Sequence, residues 1–246
     1  MQTILRFLAS LWFWVELFTI SALLFPLSFV IFLLTFLFDK RLLILHQYAC
    51  LWSYIVLSIN PLWKIKIIGR EKIDPRQVYV MVSNHQSGAD IIVLFLLKTH
   101  FKWVAKKSLF AFPFIGWNMW LNRYISVERG KASSMKQMMT DASRTLHQGN
   151  SVMIFPEGTR SKDGRLQSFK SGAFHLALKN EVPILPIVIS GTSKAIRKGG
   201  FLINNNQDIR ATVHDPVPYN AFKDLDIKSI TEKIHAIISQ SQDHEL

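Results

Sequence analysis

The stretch Val80–Asp90, VMVSNHQSGAD, holds the residues best suited to chemistry in this 246-residue chain. An apolar run, Val78 to Val82, stops at Ser83-Asn84. His85 follows, and Asp90 stands five residues further on with Ser87 and Gly88 between them. An imidazole is the side chain best placed to take a proton near neutral pH. A carboxylate on its second ring nitrogen fixes the tautomer and stabilises the imidazolium that forms. Five residues along a straight helix turn through about 140°, too far round for two side chains to meet. The pair is therefore predicted to close only with His85 in a loop and Asp90 in the first turn of a helix. Ser87 and Gly88 are residue types that permit such a turn. A surface histidine beside an unrelated helix-start aspartate has the same spacing, so the pattern needs support from elsewhere.

A second polar turn, Phe155-Pro156-Glu157-Gly158-Thr159-Arg160-Ser161, also follows an apolar run. Gly158 allows a tight turn, and Thr159 and Arg160 offer donors to an anion. An arginine fork can hold a phosphate by two bonds. Glu157 cannot bind phosphate; it is expected to orient Arg160 or to accept from a substrate hydroxyl. Lys106, Lys107 and Arg129 likewise lie just past predicted strand ends and complete a candidate anion site. Taken singly, each of these cations reads better as a solvated surface charge.

The elements that must position these residues alternate between strand and helix patterns. Strands are predicted at Trp63–Ile68, Val78–Val82, Phe101–Ala105, Leu121–Val127, Ser151–Phe155, Pro183–Ile189 and Ile209–Val213. Helices are predicted at Ile91–Leu97, Lys131–Gln148, Ser171–Lys179 and Ile227–Ser239, with a short helix from Lys106 and an apolar connection over Phe110–Gly116. This is an α/β pattern, with a mostly parallel or mixed sheet flanked by helices. Ligands of such sheets sit at the carboxyl ends of the strands, where both polar turns fall.

Ahead of that pattern lies an apolar segment in which Glu16 is the sole charge between Leu11 and Phe38. It is long enough to span a bilayer, and Trp12 and Trp14 suit an interfacial belt. Asp39-Lys40-Arg41 follows, with no small-residue cleavage site, so a signal peptide is disfavoured. A second apolar segment, Leu42–Ile59, closes at Pro61. One span with an interfacial helix, a hairpin dipping into one leaflet, and two spans all fit. Residues 1–60 are read as a helical membrane anchor and residues 61–246 as the catalytic domain. The net charge is +12, and residues 1–60 carry Arg6, Lys40 and Arg41 against Glu16 and Asp39. Nearly all of the surplus therefore lies in residues 61–246, which suits an anionic membrane surface. No basic block interleaved with aromatics supports nucleic acid. Cys50 is the one cysteine. It sits among apolar residues as a packing residue, and no spacing of cysteines or histidines suits a metal.

In order along the chain, NHQSGAD (Asn84–Asp90), Ser126–Arg129, FPEGTRS (Phe155–Ser161) and VPILPIVI (Val182–Ile189) resemble the glycerolipid acyltransferase family, as does the Ala105–Trp117 run. Within it the chain is similar to bacterial members that acylate lysophosphatidate. The likeness covers roughly residues 60–200. Gly88-Ala89 replaces the family's usual bulky residue before the aspartate, and Val127-Glu128-Arg129 stands where Ile-Asp-Arg is frequent. The resemblance implies His85 as general base, Asp90 as its orienting group, and Arg160, Arg129 and Lys106 or Lys107 as phosphate ligands with Glu157 in support. It implies transfer of an acyl group from a CoA or acyl-carrier-protein thioester to the sn-2 hydroxyl of lysophosphatidate, with no metal or redox cofactor. The implied setting is a bacterial inner membrane, with the catalytic domain on the cytoplasmic side. The alternatives are another lyso-lipid acceptor, a thioester hydrolase, and a non-catalytic basic protein that binds membrane lipids.

Overall fold

A computed structural model describes residues 2–59 and 63–245. The predicted boundary at Asn60–Pro61 lies outside the described residues. The apolar N-terminal run forms α1 (Gln2–Thr35), continuous through Pro26, and α2 (Leu43–Ile59). Asp39 turns the chain between them, its Oδ2 accepting the Ile44 N–H at 2.9 Å. By length and composition α1 could cross a membrane. It is nevertheless docked on the rest of the chain along most of its length. Phe13, Leu17 and Ile20 are buried, the Phe18 and Phe25 rings pack on Phe114, and the Ser28 hydroxyl accepts from Asn118 Nδ2. The opposite side carries Leu23 and Leu34, 72% and 70% exposed, so one face of α1 is apolar and outward.

The chain then runs through β1 (Trp63–Ile68), β2 (Val80–Ser83), α3 (Ala89–Phe95), β3 (Phe101–Lys106), α4 (Ile115–Leu121), β4 (Ile125–Val127) and α5 (Ala132–His147). It continues through β5 (Ser151–Ile154), α6 (Gly172–Lys179), β6 (Ile184–Ser190), α7 (Thr192–Ala195), β7 (Gln207–Val213) and α8 (Ile227–Glu245). Among the described residues the strands form one seven-stranded sheet in the order β1-β7-β6-β2-β5-β3-β4. From β6 to β4 every pairing is parallel. Strand β7 runs antiparallel to β6, and β1 runs parallel to β7. The expected mixed α/β sheet is therefore present. Strands β2, β5 and β6 (VMVS, SVMI, ILPIVIS) are buried throughout, as unbroken apolar strands covered on both faces should be. One face packs on α1, α2 and α3 through Phe13, Val56, Met81, Val93 and Trp103. The other packs on α5, α6 and α8 through Val82, Ala142, Phe174 and Ile234.

Two local expectations need correction. The strand expected over Leu121–Val127 is confined to Ile125–Val127, and the connection expected over Phe110–Gly116 leads into α4. Helix α4 explains both, because it takes up Ile115–Leu121 and ends in a turn where Arg123 adopts a φ of 54°. A Cβ on Gly116 would lie 2.4 Å from the Phe110 carbonyl oxygen, so only glycine lets the chain coil back tightly enough to start a helix there.

Candidate active site

Parallel pairing of β2 with β5, Val82 opposite Ile154, sets the two polar turns side by side at the carboxyl edge of the sheet. Strands β3, β4 and β6 bring Lys106, Arg129 and the Gly191–Asn206 segment to the same edge. Beyond β2, Asn84 takes the place of a peptide unit. Its Nδ2 donates to the Ile189 carbonyl and its Oδ1 accepts the Ile189 N–H, both at 2.8 Å. That link carries the pairing with β6 one residue further and releases the backbone of His85. The His85 N–H donates to Glu157 Oε1 at 2.6 Å, and its carbonyl accepts the Ser161 N–H at 2.8 Å. Both backbone groups of the histidine are thus held by the turn after β5.

The ring of His85 is held as firmly. Its Nδ1 lies 2.7 Å from Asp90 Oδ2, and its face stacks on Phe155 with centroids 3.9 Å apart. The same aspartate oxygen accepts the N–H groups of Gln86 at 2.7 Å and Ser87 at 2.9 Å. Asp90 is fully buried in the first turn of α3, the placement the spacing predicted. With Nδ1–H directed at a carboxylate, Nε2 is left as the proton acceptor. His85 is only 7% exposed and borders a cavity of about 330 Å³. This cavity is lined by β3, α3 and α4 and closed over by Phe13 and Leu17 of α1 and Trp52 of α2. Both Tyr124, just before β4, and Arg129, just after it, line the cavity. The cavity thus follows β4 from one end to the other.

The predicted anion ligands separate into groups. The Arg160 guanidinium lies beside Gly88, where a Cβ would stand 3.7 Å from its Nη1. Arg129 lies near it, its pKa lowered by burial and then by the Arg160 charge. Among the described residues no carboxylate pairs with either guanidinium, and Lys106 borders the cavity together with Arg129. Two adjacent arginines without a counter-ion make a receptor for a doubly charged anion. Thr159 is half-buried on the same turn. Lys107 points elsewhere, two-thirds exposed and 3.8 Å from Glu128 Oε2. Glu157 is buried, with Oε1 on the His85 amide and Oε2 accepting the Gln167 N–H at 3.2 Å. Burial pushes its pKa up to about 7 against these two bonds. In the structure it ties the two turns together.

Several contributors escape sequence reading. Asn84 and Phe155 open the two recognisable motifs, but nothing in their residue types announces the roles they take. Lys170 is drawn in by Gly158, whose φ of 71° leaves room that a Cβ would fill at 2.9 Å from Lys170 Nζ. Lys198 donates from Nζ to the Arg160 carbonyl at 2.6 Å. The cluster RKGGF, Arg197–Phe201, was its one sequence signal. Among the described residues no group of three His, Cys, Asp or Glu side chains could hold a metal ion.

The family model described as Acyltransferase matches residues 64–190, just over half of the chain. The chain belongs to the acyltransferase family. The matched span of this acyltransferase-family chain contains both polar turns and every predicted site residue. A chloroplastic 1-acyl-sn-glycerol-3-phosphate acyltransferase of Arabidopsis thaliana is 42% identical over 175 residues, 70% of this chain and 48% of that relative. The alpha form of the same-named enzyme from Ovis aries is 32% identical over 179 residues, 72% of this chain and 62% of that relative. The chain thus spans about half to three fifths of the length of these relatives. Its fold is that of the crystal structure titled as the 1-acyl-sn-glycerophosphate acyltransferase PlsC of Thermotoga maritima. The TM-score is 0.79 at 23% identity, covering 98% of this chain and 96% of the other.

Proposed function

We propose that this protein transfers an acyl group from a thioester to the free sn-2 hydroxyl of lysophosphatidate, forming phosphatidate. One observation carries the reading. An oriented His85–Asp90 pair stands where an apolar cavity meets two arginines that have no carboxylate partner among the described residues. The acceptor's phosphate fits Arg160 and Arg129 with Lys106, and the donor's acyl chain fits the cavity. The hydroxyl gives its proton to His85 Nε2 as its oxygen bonds to the thioester carbonyl carbon. Asp90 stabilises the imidazolium across the Nδ1 bond, and a positioned base of this kind supplies about 10²–10⁴-fold. Collapse of the tetrahedral intermediate breaks the carbon–sulfur bond, and the imidazolium returns the proton to the leaving thiolate. No enzyme nucleophile is needed. Glu157 and Gly158 shape the turn that presents Arg160.

Residues 1–60 serve as membrane anchor and residues 61–246 as the catalytic part. Because α1 is docked along the sheet domain and apolar outward, we favour its lying in one leaflet of the bilayer. The basic catalytic part suits the cytoplasmic face, in a bacterium that of the inner membrane. The named relatives support lysophosphatidate as acceptor; the carrier of the donor is CoA or acyl carrier protein.

The test is thiol release from acyl-CoA and from acyl-acyl carrier protein by the detergent-purified protein, with and without lysophosphatidate, alongside His85→Ala. Release that needs the acceptor, yields phosphatidate and vanishes in the variant is the expected result. Release without acceptor makes the protein a hydrolase. No release with either carrier, from folded protein, leaves a lipid-binding role.

A further inference from the structure

Between α7 and β7 the chain forms a small hairpin whose role nothing above explains. Ile196 and Ile203 pair in an isolated antiparallel bridge, the Gly200 N–H donates to the Arg197 carbonyl at 2.9 Å, and Gly199 takes a φ of 72°. One limb reaches into the active site. The Ile196 carbonyl accepts the Ser87 hydroxyl at 2.8 Å, the Ile196 side chain borders the cavity, and Lys198 Nζ holds the Arg160 carbonyl at 2.6 Å. The other limb grips the first half of α1. The Ile203 N–H donates to Ser10 Oγ at 2.9 Å, and the Phe201 carbonyl accepts Trp14 Nε1–H at 2.8 Å. The Ile203 carbonyl accepts Arg6 Nε–H at 3.4 Å. The Phe201 ring stands 5.7 Å from Phe7 and 6.3 Å from Trp14, and Phe201 and Phe7 are 42% and 49% exposed on the apolar side of α1.

We propose that this hairpin is a strap that couples the seating of α1 on a lipid surface to the acceptor-phosphate turn, with Lys198 as its positioning residue. The proposal rests on the acyl-transfer reading above. Lys198 is a charge-assisted donor to the backbone of the residue whose side chain faces the phosphate. Losing it frees the Arg160 turn while leaving the His85–Asp90 pair, held by its own bonds, in place. On the far side, Ser10 and Trp14 fix the outer limb only while α1 lies against the domain. Lipid that holds α1 and the exposed Phe7 and Phe201 down therefore also holds the strap and, through Lys198, Arg160.

The full chain in phosphatidylglycerol vesicles provides the test, with lysophosphatidate and acyl-CoA varied separately. Lys198→Met is expected to raise the acceptor KM about tenfold, as for one charged hydrogen bond, with kcat and the thioester KM within about twofold. Lys198→Arg should recover most of the loss. Ser10→Ala should raise the acceptor KM in the same direction and add nothing to Lys198→Met in the double variant. An unchanged acceptor KM in Lys198→Met, an equal loss in kcat, or additive single effects would overturn the strap. Amide exchange gives a readout that needs no turnover. The Arg160 and Ser161 amides should gain protection when the wild type binds vesicles, and not when Lys198→Met does. A wild type that gains protection but consumes thioester without acceptor refutes the acceptor reading and leaves the strap standing. A wild type that turns over normally with no gain in protection refutes the strap alone.

Discussion

Asp90 gives one oxygen to three donors, the His85 ring and the Gln86 and Ser87 amides, while its Oδ1 is buried without a partner. Asparagine can set its carbonyl on the same three donors and its amide in the place of Oδ1, so Asp90→Asn should keep the loop. What it loses is the negative charge opposite the imidazolium. We expect kcat to fall about 10²–10⁴-fold with little change in KM, read by steady-state kinetics beside a circular-dichroism check of folding. Lys102 poses the reverse case. It is 97% buried on β3, its Nζ has no hydrogen-bond partner, and the Tyr124 ring is 6.0 Å away. Burial pulls its pKa down to about 7; Asp39 opposes the shift, and Arg123 and Arg41 add to it. A depressed folded-state value means that stability is complete above the free lysine's pKa of about 10.5 and is lost as pH falls through about 7. Lys102→Met should therefore stabilise the fold at pH 7 by about 1–3 kcal/mol. It should also flatten the decline between those two pH values, both measurable by thermal melts.

At the level of elements, β4 decides the reach of the cavity. Tyr124 lines the cavity beside β4, three strands across the sheet from β2, which leads into His85. The Tyr124 N–H donates to the Met119 carbonyl at 3.1 Å, so Met119 of α4 lines the cavity on that side. An indole at this position shortens the space for the end of an acyl chain without approaching the histidine. Met119→Trp should cut turnover of palmitoyl-CoA by about tenfold or more while sparing octanoyl-CoA, because each displaced methylene forfeits about 0.8 kcal/mol of burial. A parallel loss on both donors in competition assays would mean that the chain lies elsewhere.

For the whole molecule, the decisive relation is between α1 and the sheet. A helix joined to Ile203 near its start and to Asn118 near its last third cannot also pass through a bilayer that the sheet domain stays outside. Tags on the two termini are therefore expected on the same side of sealed vesicles. With Cys50→Ser as background, Leu23→Cys and Leu34→Cys should be shielded from a water-soluble maleimide yet quenched by a lipid-borne probe. Retention on vesicles should survive about 1 M salt, which screens charge attraction over about 3 Å but leaves apolar burial intact. Opposite-side termini would demand that α1 leave the domain.

The residues by themselves determined the types and order of the parts. Unbroken apolar runs ending at Val82 and at Phe155 announced buried strands that deliver loops, and the five-residue gap from His85 to Asp90 could close only in a loop-to-helix turn. These features are local, set by periodicity, turn chemistry and reach along the backbone. Tertiary structure alone decided that β2 and β5 are neighbours, because VMVS and SVMI carry no mark of which buried strand each will pair with. From that pairing came the role of Glu157, whose partner is a backbone amide 72 residues away. From the packing of faces came the course of α1, whose composition fits a span and a surface helix equally. Strand order and helix docking depend on which apolar surfaces meet, a long-range choice that hydrophobic pattern permits but does not specify.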